Sequence, residues 1–309
     1  KLQNYLAGNW IEGDGDGSPL FNSVTGEIVA TATTKGLDFK QALEYGRKSG
    51  EALRKMTFQD RGLMLKALAL HLLEKKEKYY EVSYKTGATR IDSWIDIEGG
   101  IGNLFANASL RKQFGNSSHY VDGDYAPLGK NGTFIGHHIM VPKEGVAVHI
   151  NAYNFPIWGM LEKVAVNWMA GVPAVVKPAT VTSFLSEVMV RDIIASGIVP
   201  EGALQLICGS AGDLLDHVEM QDVVTFTGSA STGRMLKGKP SIINNSVPFN
   251  MEADSLNSSV LGPDAVPGTP EFDLFIKEVT KEITVKCGQK CTAIRRIMVP
   301  ENLVEDVQI

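Results

Sequence analysis

Apolar residues from Leu37 to Met56 recur at three- and four-residue spacing, and the run from Leu63 to Val82 repeats the pattern with lysines and glutamates between. That period predicts helices with one buried face, extending to about residue 112. Thr57, followed by Asp60, predicts an N-cap with an acidic first turn. From residue 143 the pattern changes. Short apolar runs, Gly145–Ile150, Ala174–Lys177, Leu204–Ile207 and Val223–Phe226, alternate with helical segments near 157–170, 182–196 and 211–217. Continuous apolar strands alternating with helices predict a doubly wound parallel sheet buried on both faces, an α/β architecture of the nucleotide-binding kind. After about residue 252 a second α/β unit is expected, with a strand at Ser258–Leu261, a helix from about 270 to 287 and a strand near 293–299. Residues 114–140 are polar and Gly-rich and then turn extended, which predicts an arm reaching a neighbouring subunit. Gly13–Gly17 reads as a surface turn.

Composition narrows the partners. The chain has 309 residues, 44% apolar and 21% charged, with a net charge of −5; two domains are expected, and no basic footprint for nucleic acid is present. No apolar stretch reaches the roughly eighteen residues of a membrane span, and the N-terminal residues lack a secretory core. A cytoplasmic protein is expected. The three cysteines, Cys208, Cys287 and Cys291, do not make a disulfide framework, and Cys287 and Cys291 have neither a second pair nor a nearby histidine, so no metal site is expected.

Five places could carry chemistry. Cys291 lies in Cys287-Gly288-Gln289-Lys290-Cys291-Thr292, with Lys286, Lys290, Arg295 and Arg296 close in sequence. Such a setting suits a thiolate nucleophile, and the alternative is a buried inert thiol. Asn154 follows a strand and opens a helix, so its amide is either an oxyanion donor or a helix cap. Lys177 ends a strand, either reaching a ribose or phosphate or snorkelling to solvent. Gly228-Ser229-Ala230-Ser231-Thr232-Gly233 opens a helix whose N–H groups could face a diphosphate, although it is neither of the standard glycine-rich fingerprints. Glu252 ends an extended stretch as a candidate general base or a plain surface carboxylate.

In this order along the chain, the Asn-Phe-Pro segment, the Val-Lys-Pro strand end, the Phe-Thr-Gly-Ser turn, the glutamate and the Gly-Gln-x-Cys segment resemble the aldehyde dehydrogenase superfamily. Three longer stretches, Trp94–Gly102, Ile207–His217 and Met251–Asn257, narrow the resemblance to semialdehyde dehydrogenases of phenylacetate and benzoyl-CoA breakdown. The resemblance implies a dinucleotide-binding domain over 1–252, with 114–141 an oligomerisation arm, and the incomplete start of a catalytic domain over 253–309. It implies oxidation of an aldehyde, a CoA-linked semialdehyde of aromatic (phenylacetate) catabolism, to a carboxylic acid. Cys291 would form the thiohemiacetal and thioacyl enzyme, Asn154 would hold the oxyanion, and Glu252 would activate water. Lys177, Thr180, Gly228, Ser229 and Gly233 would bind the cofactor. Where NAD-preferring relatives often carry a glutamate, this chain has Thr180, which implies NADP, with NAD as the alternative. A homo-oligomer is implied. Two further departures are Tyr153 for the usual tryptophan and Ala253-Asp254 for the usual glycines after the glutamate. Two other readings stay open: an inactive binding or structural protein on this scaffold, and a non-redox cysteine acyl transferase or hydrolase needing a histidine base.

Overall fold

The apolar runs form the centre of a sheet in the computed structural model, which describes residues 1–308. The strands Ala147–Ile150, Ala174–Lys177, Leu204–Leu206 and Val223–Gly228 pair in parallel, with Ala147 opposite both Ala174 and Val223, and Ala174 opposite Leu204. Across the seven-stranded sheet the order is Phe249–Ala253, Val223–Gly228, Ala147–Ile150, Ala174–Lys177, Leu204–Leu206, Asn4–Leu6 and Asn9–Ile11. Every residue of Ala147–Ile150 is buried, as a continuous apolar strand requires. The order reverses at this strand: the next strand in sequence lies on one side and Val223–Gly228 on the other. Such a switch point opens a crevice at the carboxyl ends of the strands.

Helices cover both faces. One buried cluster joins Leu65, Leu68, Ile97, Ile101, Leu161 and Trp168 to one side of the sheet. The other places Phe39, Leu43, Leu214, Leu215 and Leu236 on the opposite side. Thr57 and Asp60 form a reciprocal capping box on the helix Phe58–Glu74. Within that helix the buried Arg61 donates to the carbonyls of Leu53, Arg54 and Met169, at the ends of the helices Glu51–Lys55 and Trp158–Met169. A cation at helix C-termini satisfies orphan carbonyls and opposes the helix dipole.

Several elements differ from their sequence reading. Asn4–Leu6 and Asn9–Ile11 form a hairpin with Ala7 and Gly8 at φ 48° and 79°, and Tyr5 pairs antiparallel with Leu206. Three-residue strands are too short for alternation to reveal. The strands Ser18–Phe21 and Ile28–Ala32 form a second small ribbon. The segment near 211–217 holds only a 3-10 turn at Leu214–His217. The arm region is a ribbon of Tyr120–Pro127 against Ile135–Met140, whose register shifts between Asp122 and Ala126.

The chain divides into two compact units, Lys1–Glu252 and Ala253–Ile309. In the second, Ser258–Val260 pairs in parallel with Arg296–Met298, a shorter strand than the sequence suggests. Its helix Pro270–Thr284 is capped by Thr269 and ends before 287, because Lys286 and Cys287 adopt φ of 58° and 53°. Leu261, Ala265, Phe272 and Leu303 form its core. No helix among the described residues is long and apolar enough to cross a membrane.

Candidate active site

In the first unit the proposed residues gather at the carboxyl edge of one sheet. Beyond Ile150 the chain turns outward: the Asn151 N–H donates to the Lys177 carbonyl at 3.0 Å, and the Thr182 hydroxyl donates to the Tyr153 carbonyl at 3.3 Å. Asn154 is half-buried in this segment, just ahead of the helix Trp158–Met169. Lys177 is mostly buried and has no ion-pair partner among the described residues. Burial pushes its ammonium pKa below the ordinary lysine value. A desolvated cation without an anion at the strand end fits an anionic or hydroxyl-rich ligand such as a dinucleotide. Thr180 lines an open cavity of about 830 Å³ together with Thr34, Lys35, Ser210 and Asp213.

On the neighbouring strand, Ser229 caps the helix Ala230–Lys237, its hydroxyl accepting from the Thr232 N–H at 3.3 Å. Gly233 packs closely on its neighbour: a Cβ there would lie 2.4 Å from the Met251 sulfur, so that side chain would have to move. That contact sets the helix against the strand that carries Glu252. Gly228 is hemmed by Phe226, whose ring would lie 2.6 Å from a Cβ. Glu252 is exposed, and the Thr227 hydroxyl donates to its Oε2 at 3.4 Å. Two residues on, Asp254 occupies the left-handed region at φ 51°, where a glycine would be unstrained and aspartate is among the better tolerated side chains.

In the second unit Cys291 is exposed on a turn. Two of the cations close to it in sequence are engaged: Lys290 pairs with Glu282, and Arg295 donates to the Gly288 carbonyl at 2.6 Å. The turn is instead tied down by Asn257, whose amide donates to the carbonyls of Cys291 and Ala293 and whose own carbonyl accepts from the N–H groups of Arg295 and Arg296. Sequence reasoning gave Asn257 no role, since no local pattern marks a side chain that acts across more than thirty residues of chain.

A polar chain that starts at the buried His149, on the strand ahead of Asn154, was also missed. His149 on the central strand is fully buried, and its Nε2 lies 2.9 Å from the Asn167 amide nitrogen, which also donates to the Lys163 carbonyl. The imidazole therefore accepts at Nε2 and carries its proton on Nδ1. Burial, reinforced by the Lys163 charge, holds its pKa down at about 3. Lys163 in turn pairs with Glu162 at 2.7 Å, and Glu162 accepts from the Trp158 indole at 3.0 Å. No cluster of three or more metal-ligating side chains occurs among the described residues.

Residues 10–308 match the aldehyde dehydrogenase family. The chain is 47% identical to 3,4-dehydroadipyl-CoA semialdehyde dehydrogenase from Aromatoleum evansii, over 97% of this chain and 59% of that protein. It is 24% identical to D-glyceraldehyde dehydrogenase (NADP(+)) from Picrophilus torridus, over 99% of this chain and 60% of that protein. Betaine aldehyde dehydrogenase from Staphylococcus aureus, solved in complex with NAD+, superposes with a TM-score of 0.83 at 20% identity, over 99% of this chain and 59% of that one. The chain thus spans about 60% of the length of these relatives. Its ordered set of site segments, its switch-point sheet and its match over almost every residue place it in the aldehyde dehydrogenase family.

Proposed function

We propose that the protein oxidises an aldehyde, a CoA-linked semialdehyde of aromatic-acid breakdown, to its carboxylic acid with NADP. The reading is carried by the 47% identity to a CoA-linked semialdehyde dehydrogenase across nearly the whole chain. The residue chemistry supports it. The Cys291 sulfur, as its thiolate, adds to the carbonyl carbon, and as the C–S bond forms the C=O π pair moves onto oxygen to give an alkoxide that the Asn154 amide stabilises. A bound nicotinamide would supply the hydride acceptor, and hydride loss from the tetrahedral carbon would leave a thioester on Cys291. Glu252 then removes a proton from water, whose oxygen attacks the acyl carbon, and the carboxylic acid leaves as the thiolate is regenerated. Lys177 and Thr180 would hold the adenosine ribose and its 2′-phosphate, while Gly228, Ser229 and Gly233 would shape the helix end toward the diphosphate.

The non-redox alternative has little support. It needs a histidine base, yet residues 253–309 contain no histidine, and His149 is fully buried. The test is reduction of NADP and NAD, followed by absorbance, with a panel of aldehydes that includes CoA-linked and free semialdehydes. Cys291→Ala abolishes turnover in that assay while cofactor affinity stays within about threefold. Turnover that survives in this variant sinks the mechanism.

A further inference from the structure

The segment that carries Asn154 ends in a helix that cannot cap itself. The N-cap of Trp158–Met169 is Ile157, which offers no side-chain acceptor. Its N-terminal N–H groups are met instead by Asp96, from the helix Arg90–Ser109. The Trp158 N–H donates to Asp96 Oδ1 at 2.8 Å, and the Ile157 N–H donates to Oδ1 at 3.2 Å and Oδ2 at 3.4 Å. Asp96 is only 2% exposed, so water cannot replace it. A carboxylate at this end also has the sign that the helix dipole favours, and Arg61 holds the other end through Met169.

The helix around Asp96 is shaped for this contact. A Cβ on Gly99 would lie 2.3 Å from the Trp158 ring, and one on Gly100 would lie 3.0 Å from the Trp158 backbone nitrogen and Cα. The two glycines therefore let the helices approach until the Asp96 carboxylate reaches the N–H groups. The stretch Trp94–Gly102, conspicuous in the sequence and far from Asn154 along the chain, acts as the seat for the turn that presents Asn154.

We propose that Asp96 is a positioning residue for the reaction: by capping Ile157 and Trp158 it fixes the turn from Asn154 to Pro156, and so the direction of the Asn154 amide. This rests on the reading of Asn154 as the oxyanion donor. An oxyanion donor acts only if it is held at hydrogen-bond distance from where charge develops, and removal of one such donor costs about a hundredfold to a thousandfold in kcat.

The experiment measures single-turnover hydride transfer, as the burst of reduced cofactor, in the complete enzyme and four variants. Asp96→Ala slows the burst by about tenfold to a hundredfold, with cofactor Kd unchanged within about threefold. Asp96→Asn, which keeps a carbonyl oxygen for the two N–H groups, stays within about threefold of wild type. Because Asp96 acts through Asn154, the double variant Asp96→Ala/Asn154→Ala is no slower than Asn154→Ala alone. If Asp96→Ala is insoluble, Asp96→Ser, whose hydroxyl falls short of both N–H groups, must show the same slowing. A wild-type burst in Asp96→Ala or Asp96→Ser, or a double variant that loses the product of the two single losses, overturns the inference. A wild-type burst in Asn154→Ala overturns the oxyanion reading and the inference with it, whereas a slow Asn154→Ala beside a fast Asp96→Ala overturns the inference alone.

Discussion

Glu252 and Thr180 each differ from their surroundings in a way that fixes a test. Glu252 is exposed, with one long hydrogen bond from Thr227, and is followed by a strained Asp254. If it serves only to activate water, Glu252→Gln leaves the first hydride transfer intact and blocks release of the acyl group. Stopped flow then shows a burst of about one reduced cofactor per site followed by turnover reduced at least about a hundredfold. Normal cycling in this variant moves the base to another carboxylate. Thr180 shares its cavity with Lys35 and Asp213, the latter paired with His217 at 2.9 Å. Introducing a carboxylate by Thr180→Glu sets like charge against a 2′-phosphate, a juxtaposition that costs several kcal/mol, so kcat/KM for NADP falls by about a hundredfold while that for NAD changes little. A wild type that prefers NAD, or a variant with unchanged preference, removes Thr180 as the reader of the phosphate.

At the scale of elements, the central strand and its following helix carry a pH signature. His149 is neutral when folded, with a pKa of about 3, against about 6.5 in the unfolded chain. Above about pH 6.5 both states are neutral and the full stability is present. Below it the unfolded chain takes up a proton that the folded one refuses, so stability falls by up to about 1.4 kcal/mol per pH unit down toward pH 3. Urea unfolding of wild type and His149→Gln at pH 7.5, 6.5, 5.5 and 4.5 measures this: the variant's decline is shallower by that slope, and parallel declines refute it. The parallel strands were legible because burial on both faces forces uninterrupted apolar runs, and the Thr57–Asp60 cap was legible because both partners are local. The trans caps from Asp96 and Arg61, the His149–Asn167–Lys163 chain and the Asn257 contacts were not. Each joins residues distant in sequence, and a polar residue's partner is set by packing rather than by period. The N-terminal hairpin was hidden for a different reason: its strands are three residues long, and Asn4–Leu6 joins the sheet through a distant pairing, Tyr5 with Leu206, that no local pattern marks.

For the whole molecule, the ribbon of Tyr120–Pro127 and Ile135–Met140 raises a question of stability. A two-stranded ribbon is marginal in water unless one face is covered. Yet nearly all of this one faces solvent in a single copy, with Tyr125 60% exposed and Ile139 58% exposed, and Val121, Ile135 and Met140 are exposed as well. Apolar side chains concentrated on an element with exposed edges suit a surface that is covered on assembly. A second copy of the same chain is the simplest cover, since closed symmetric pairs let identical patches bury each other. If a second copy covers the ribbon, the complete protein is expected to sediment as an oligomer at micromolar concentration. Ile139→Asp, which sets a charge in the middle of the strand, shifts it toward a smaller species and makes the ribbon the first site of proteolytic cleavage. The far-UV signal of the parallel sheet stays unchanged, because no residue of the ribbon lies in that core. A wild type that sediments as a monomer with a protease-resistant ribbon, or an Ile139→Asp protein with the wild-type assembly, contradicts the assignment of the ribbon as an oligomerisation arm.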